Sequence, residues 1–167
     1  MSSGKANDTE GLRIVHVDDL KPESRSMGER YAFDRAELIP GDGTRPCGVR
    51  VYWIPPGKAN YPYHYHTAHE EVFYIIRGEG TVLTPQGDRP VRAGDIILCP
   101  TGAEGAHRIT NSAQEPLVYM EFDAVQFPEI VHYPLSEGVG LLYGDRARNE
   151  FYRDGRRATY AEIADEG

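Results

Sequence analysis

Cysteine is scarce in this 167-residue chain: only Cys47 and Cys99 occur, far apart in sequence. That excludes a disulfide-stapled secreted scaffold and a Cys-x-x-Cys metal site, and both residues are read as buried or semi-buried thiols. Long apolar runs are also missing. The longest, Val72–Ile76 and Ile96–Pro100, fall far short of the roughly 20 residues that cross a bilayer. The N-terminus Met-Ser-Ser-Gly-Lys-Ala-Asn-Asp lacks the apolar stretch of a signal peptide, so a cytoplasmic protein with no membrane partner is expected. Positive charge is in deficit as well: 18 Lys+Arg stand against 26 Asp+Glu, a net charge of −8. Such a surface repels phosphate backbones, so no nucleic acid is expected as partner and a small-molecule ligand is. The one basic stretch, Arg146, Arg148, Arg153, Arg156 and Arg157, is interleaved with Asp145, Glu150 and Asp154 and reads as a self-paired surface.

Gly and Pro are plentiful, at 18 and 12 residues, with 11 Tyr. A helical bundle does not tolerate so many breakers, whereas short strands joined by turns do. Strand-like runs cover Leu12–Val17, Val49–Ile54, Tyr61–His66, Glu71–Arg77, Gly80–Thr84, Arg89–Arg92, Ile96–Cys99, Ala106–Thr110, Leu117–Asp123 and Ile130–Tyr133. Turn clusters such as Pro55-Pro56-Gly57 and Gly78-Glu79-Gly80 separate them. Strands every 8–12 residues without helical patterning predict an all-β antiparallel sandwich or closed barrel with one core. Residues 1–11 are small and polar and should fray. Residues 12–46 read as an N-terminal extension, 47–123 as the barrel, and 124–167 as a C-terminal extension with a short helix over Thr159–Asp165.

Three of six histidines cluster in Tyr63-His64-Tyr65-His66-Thr67-Ala68-His69-Glu70-Glu71. In a strand, residues i and i+2 share a face, so His64 and His66 can aim two imidazoles at one point. In the following strand Glu71, Phe73 and Ile75 share one face, and Val72, Tyr74 and Ile76 the other. Placing Glu71 beside the histidines completes a two-His-one-carboxylate set suited to a divalent metal, with Glu70 facing outward. A His-x-His pair alone is often chance, so the surroundings decide.

Those surroundings resemble the cupin superfamily. Its first motif, G-x5-H-x-H-x(3,4)-E-x6-G, is met by Gly57, His64, His66, Glu71 and Gly78, with one extra residue in the first gap. The second, G-x5-P-x-G-x2-H-x3-N, is met by Gly94, Pro100, Gly102, His107 and Asn111, with four residues instead of two before His107. Pro55-Pro56-Gly57, Glu115-Pro116-Leu117 and Glu129-Ile130-Val131-His132-Tyr133-Pro134 are similar to segments of small bacterial single-domain cupins. The resemblance implies a double-stranded β-helix, or jelly roll. It also implies one divalent metal ion (Fe, Mn, Ni, Co or Zn) on His64, His66, Glu71 and His107.

The remaining assignments are expectations. Glu104, in the enlarged loop, and Glu121 are candidate acids or bases. Tyr52, Tyr61, Phe73 and Tyr119 are candidate substrate-pocket residues. His69 reads as a solvent-exposed loop histidine, and His16 and His132 as structural. The expected function is a metal-dependent isomerase, epimerase or lyase acting on a sugar, sugar phosphate or hydroxy acid. An Fe(II)-dependent dioxygenase and a non-catalytic small-molecule binder are the alternatives. Because Val72, Tyr74 and Ile76 are apolar on the outward face, a homodimer is expected there, or Leu12–Val17 and Ile130–Leu142 fold back to cover it.

Overall fold

The computed structural model describes residues 11–166; the expectation of a frayed 1–11 falls almost wholly outside that range. Among the described residues, fourteen strands make up the framework. They are β1 (Glu23–Met27), β2 (Tyr31–Ile39), β3 (Cys47–Ile54), β4 (Tyr65–His66), β5 (Glu71–Arg77), β6 (Glu79–Thr84) and β7 (Gly87–Arg92). After these come β8 (Ile96–Cys99), β9 (Arg108–Thr110), β10 (Leu117–Ala124), β11 (Glu129–Tyr133), β12 (Gly138–Leu142), β13 (Glu150–Arg153) and β14 (Arg156–Ala158). One short helix, α1 (Tyr160–Ile163), follows.

The strands form a six-stranded sheet in the order β1-β2-β3-β10-β5-β8, a five-stranded sheet β14-β13-β12-β11-β4 and a three-stranded sheet β7-β6-β9. All pairings between these strands are antiparallel. The two smaller sheets are joined by the segment from Gly57 to His66. It exchanges backbone bonds with residues 107–111 on one side, including reciprocal bonds between His64 and His107 at 3.1 and 2.9 Å, and pairs with β11 on the other. The result is the all-β antiparallel sandwich that the strand spacing predicts, in the jelly-roll form that the resemblance implies. Phe33, Tyr52, Phe73 and Tyr119 of the large sheet pack on Val82 and Ile109 of the three-stranded sheet to make the main core. Removing a ring such as Phe73, 1% exposed, would leave a cavity costing about 3–5 kcal/mol.

Motif residues explain the turns. Gly78 has φ +83°, and a Cβ there would lie 2.6 Å from the Pro116 carbonyl oxygen, so only glycine fits. Asn111, fully buried, donates from Nδ2 to the carbonyls of Ile54 and Glu115 at 2.8 Å and accepts from the Ala113 N–H at 2.9 Å, which fixes the loop before β10. Thr159 and Glu162 form a reciprocal capping box on α1. The tail arginines are paired, Arg156 with Glu162 at 2.9 Å and Arg157 with Glu150 at 3.3 Å.

Several expectations are corrected. Leu12–Val17 is not a strand and covers nothing: Leu12 and Ile14 are exposed. Residues 23–39 form two strands that continue the barrel's large sheet through β2 and β3. The Ile130–Leu142 segment lies in the five-stranded sheet and not over the outward face of β5. Tyr61–His66 is mostly an irregular segment, with β4 reduced to two residues. No described helix is long and apolar enough to cross a membrane.

Candidate metal centre

The side chains of His64 and His66 on the joining segment meet Glu71 at the start of β5. Each of the three offers a ligand atom, all within 4.8 Å of one another. His107, immediately before β9, lies against them: its Nε2 is 3.4 Å from Glu71 Oε2, and His66 Nε2 is 3.5 Å from the same oxygen. Strand parity holds as read, with Glu71, Phe73 and Ile75 buried, and Glu70 and Tyr74 exposed.

The imidazoles are aimed from behind. His64 Nδ1 is 2.7 Å from the Pro62 carbonyl oxygen and His107 Nδ1 is 3.0 Å from that of Gly105. An N–H at each Nδ1 donates to its carbonyl and leaves the Nε2 lone pair facing inward. The two extra residues before His107 are thereby explained, since they form the turn Ala103–Gly105 that presents this carbonyl. Gly105 is packed so tightly that a Cβ would lie 1.8 Å from the Pro100 carbonyl oxygen.

Burial, with repulsion from neighbouring histidines, holds His64 well below the ordinary imidazole range, and burial also lowers His107. Both shifts favour the neutral form that a metal ligand takes. His66 moves up, because the Glu71 and Glu129 carboxylates outweigh the effect of its burial. The buried Nε2 of His107 has no hydrogen-bond partner, which is costly unless something else satisfies it. Three imidazole nitrogens and one carboxylate oxygen suit a borderline divalent cation.

A cavity of about 800 Å³ opens from this cluster between the sheets, lined in part by Arg35, Arg50, Tyr52, Tyr61, Glu121 and Tyr133.

Residues 50–123 match the cupin domain family. An oxalate-binding protein from Thermotoga maritima is 33% identical over 112 residues, covering 64% of this chain and 89% of that protein. The chain belongs to the cupin family. Protein SchB from Streptomyces halstedii is 29% identical over 126 residues, spanning 75% of this cupin and 88% of the relative. A candidate sugar phosphate isomerase from Acidithiobacillus ferrooxidans has a solved structure with TM-score 0.72 and 26% identity, covering 86% of this chain and 92% of that one.

Of the other sequence candidates, Tyr52 and Tyr61 line this cupin's cavity with hydroxyls 3.3 Å apart. Phe73 and Tyr119 do not line it: Phe73 packs edge-on against His107 at 5.2 Å, and Tyr119 stacks on Tyr52 at 5.0 Å. They are wall behind the site. Glu121 does line it, held by Arg50 at 2.5 Å. Glu104 is exposed on the Ala103–Gly105 turn, 3.3 Å from Gln86 Nε2 and outside the cavity lining.

His69 corrects the reading of an exposed loop histidine. It is 5% exposed, stacks on His66 at 5.4 Å, and its Nε2 lies 2.7 Å from the Gln126 carbonyl oxygen. Behind both rings stands a residue that sequence reasoning passed over. Glu129 is fully buried, accepts the Thr67 and Ala68 N–H groups at 2.7 and 2.9 Å, and reaches His66 Nδ1 at 3.5 Å. His66 Nδ1 is buried with no hydrogen-bond partner among the described residues, so this carboxylate is the charge that faces it and favours a proton there. Although burial alone would raise Glu129, the adjacent His66 ring and the Thr67 N–H keep its carboxyl below the usual range. Glu129→Gln should weaken divalent-metal binding about 10–100-fold with the circular-dichroism spectrum retained. Metal titration against wild type measures this, and an unchanged affinity would remove Glu129 from any positioning role.

Proposed function

We propose that this cupin is an enzyme that holds one divalent metal ion on His64, His66, Glu71 and His107 and rearranges a small oxygenated molecule such as a sugar, sugar phosphate or hydroxy acid. The observation that carries this reading is the convergence of Glu71 and inward imidazole nitrogens on a cavity that Glu121 also lines. When bound, the ion would supply Lewis-acid polarisation of a substrate carbonyl or hydroxyl oxygen.

Glu121 is the proton carrier in this reading. Burial raises its carboxyl to about 7, with the Glu71 and Asp123 charges adding to the rise and Arg50 opposing it. A carboxyl poised there can both accept and return a proton near neutral pH. The hydroxyls of Tyr52 and Tyr61 orient the substrate's polar groups. The similarity to an oxalate-binding protein and to a candidate sugar phosphate isomerase supports a small, oxygen-rich ligand.

The same reading makes the protein a cytoplasmic homodimer, supported by two free cysteines and an exposed apolar face on the large sheet. Elemental analysis followed by turnover screens in deuterated water tests the function. One metal per chain is expected, with metal-dependent isomerisation of an aldose, aldose phosphate or hydroxy acid that Glu121→Gln abolishes. Oxygen consumption without isomerisation would replace this reading by a dioxygenase. Tight binding without turnover would replace it by a non-catalytic binder.

A further inference from the structure

We propose that Arg35 anchors an oxyanion of the substrate, a carboxylate or a phosphate, across the cavity from the metal cluster; as a statement about substrate this rests on the function proposed above. Two buried guanidinium groups face the cavity, and they are not equivalent. Arg50 meets Asp123 at 3.0 Å and Glu37 at 3.4 Å besides Glu121, so it keeps carboxylate partners whichever state Glu121 is in. Arg35 is only 8% exposed, yet among the described residues no carboxylate forms an ion pair with it. Glu23, opposite it in β1, pairs with Arg25 at 3.0 Å, and Glu37 is taken by Arg50 and Arg146. What Arg35 has is a long contact from Nη1 to the Tyr61 hydroxyl at 3.5 Å, with the Tyr52 hydroxyl nearby and the Glu37 charge acting at longer range.

A buried cation without a counter-charge is expensive. Five N–H donors that meet tyrosine hydroxyls and no ion-paired carboxylate among the described residues leave the planar fork open to a bidentate oxyanion. The position is fixed by packing: Arg35 lies beside Tyr52 in the β2–β3 pair, and Tyr61 links it to the metal cluster, with its hydroxyl at Arg35 and its ring edge-on to the His64 ring at 6.3 Å. A ligand spanning Tyr61 would present its anionic end to Arg35 and its oxygenated reacting end to the metal cluster. That selects a small hydroxy acid or sugar phosphate over a neutral sugar.

Calorimetric titration with D-glucose 6-phosphate, D-gluconate and D-glucose, on metal-loaded and metal-free protein, tests this. Wild type should bind at least one anionic probe about 10–100-fold more tightly than D-glucose, the worth of a charge-assisted hydrogen-bonded contact. Arg35→Gln should erase that preference without changing metal content. The two anionic probes distinguish phosphate from carboxylate as the anchored group. If Arg35→Gln fails to fold, Arg35→Lys carries the test, because it keeps the charge but loses the fork and should bind the preferred anion about tenfold more weakly. No anion preference in wild type, or undiminished preference in the folded variants, overturns the proposal. Arg35-dependent anion binding by a protein that takes up no metal would uphold the anchor and sink the metal reading. Stoichiometric metal with no Arg35 dependence would do the reverse.

Discussion

Protein in which His64 and His66 are both replaced by alanine should retain no stoichiometric divalent metal after purification, while wild type retains one ion per chain. Two of the four proposed ligands would be gone, and the remaining pair, Glu71 and His107, approaches to 3.4 Å from one side of the cluster only. Loss of mere supporting contacts costs 10–100-fold in affinity, so loss of two ligands should exceed about a hundredfold. The neighbouring carboxylates give an internal control. Glu71→Gln removes the charged ligand and should weaken binding strongly, whereas Glu70→Gln, at an exposed position, should leave it unchanged. Metal analysis of the four proteins decides the matter. A double-histidine variant that still carries an equivalent of metal would remove the ligand assignment, and a reversed order of the two glutamates would move the carboxylate to Glu70.

The second large effect concerns assembly. Wild type should scatter light with a mass near twice the 18.7 kDa of the chain, and Tyr74→Glu combined with Leu98→Glu should halve it. On the outward face of the large sheet, Tyr74 is 40% exposed, Phe122 39%, Ile96 63% and Leu98 72%. These are neighbours, since Tyr74 sits opposite Ile96 and Val72 opposite both Leu98 and Phe122. β8 ends its sheet, so an apolar face runs out to an unpaired edge. A self-complementary contact with a second copy would cover both. The substituted side chains lie on the opposite face of their strands from Glu71, so metal content should be unaffected. A wild-type mass near that of one chain at micromolar concentration would sink the dimer.

The chemistry-bearing core of the fold was legible because its signals are local. Alternation in Glu71–Arg77 places Glu71 inward, and His107 with Asn111 keeps its spacing because the two bracket the three-residue strand β9. What escaped was held by distant partners. β1, Glu-Ser-Arg-Ser-Met, has no apolar alternation because nearly all its side chains face solvent, and it is a strand only because β2 pairs with it. Nothing near Glu129 in sequence announces that a buried carboxylate will be needed there; the N–H groups it receives come from residues 67 and 68. His69 looked like a loop histidine because its covering groups, Gln126 and Phe127, lie more than fifty residues away. Glu104 misled by proximity to His107, since the turn that aims the histidine turns the glutamate outward.

The segment from Gly57 to His66 carries two of the four proposed ligands and is also the strip that stitches the three-stranded sheet to the five-stranded one. A cation gripping His64 and His66 from this strip, Glu71 from the large sheet and His107 from the strip's other neighbour would fasten three sheet regions at one point. Ligand binding to the native state alone stabilises it in proportion to the logarithm of free ligand concentration. The midpoint of heat denaturation would then climb steadily with added metal and fall with chelator, so a melting temperature for this protein would be a property of its buffer as much as of its chain.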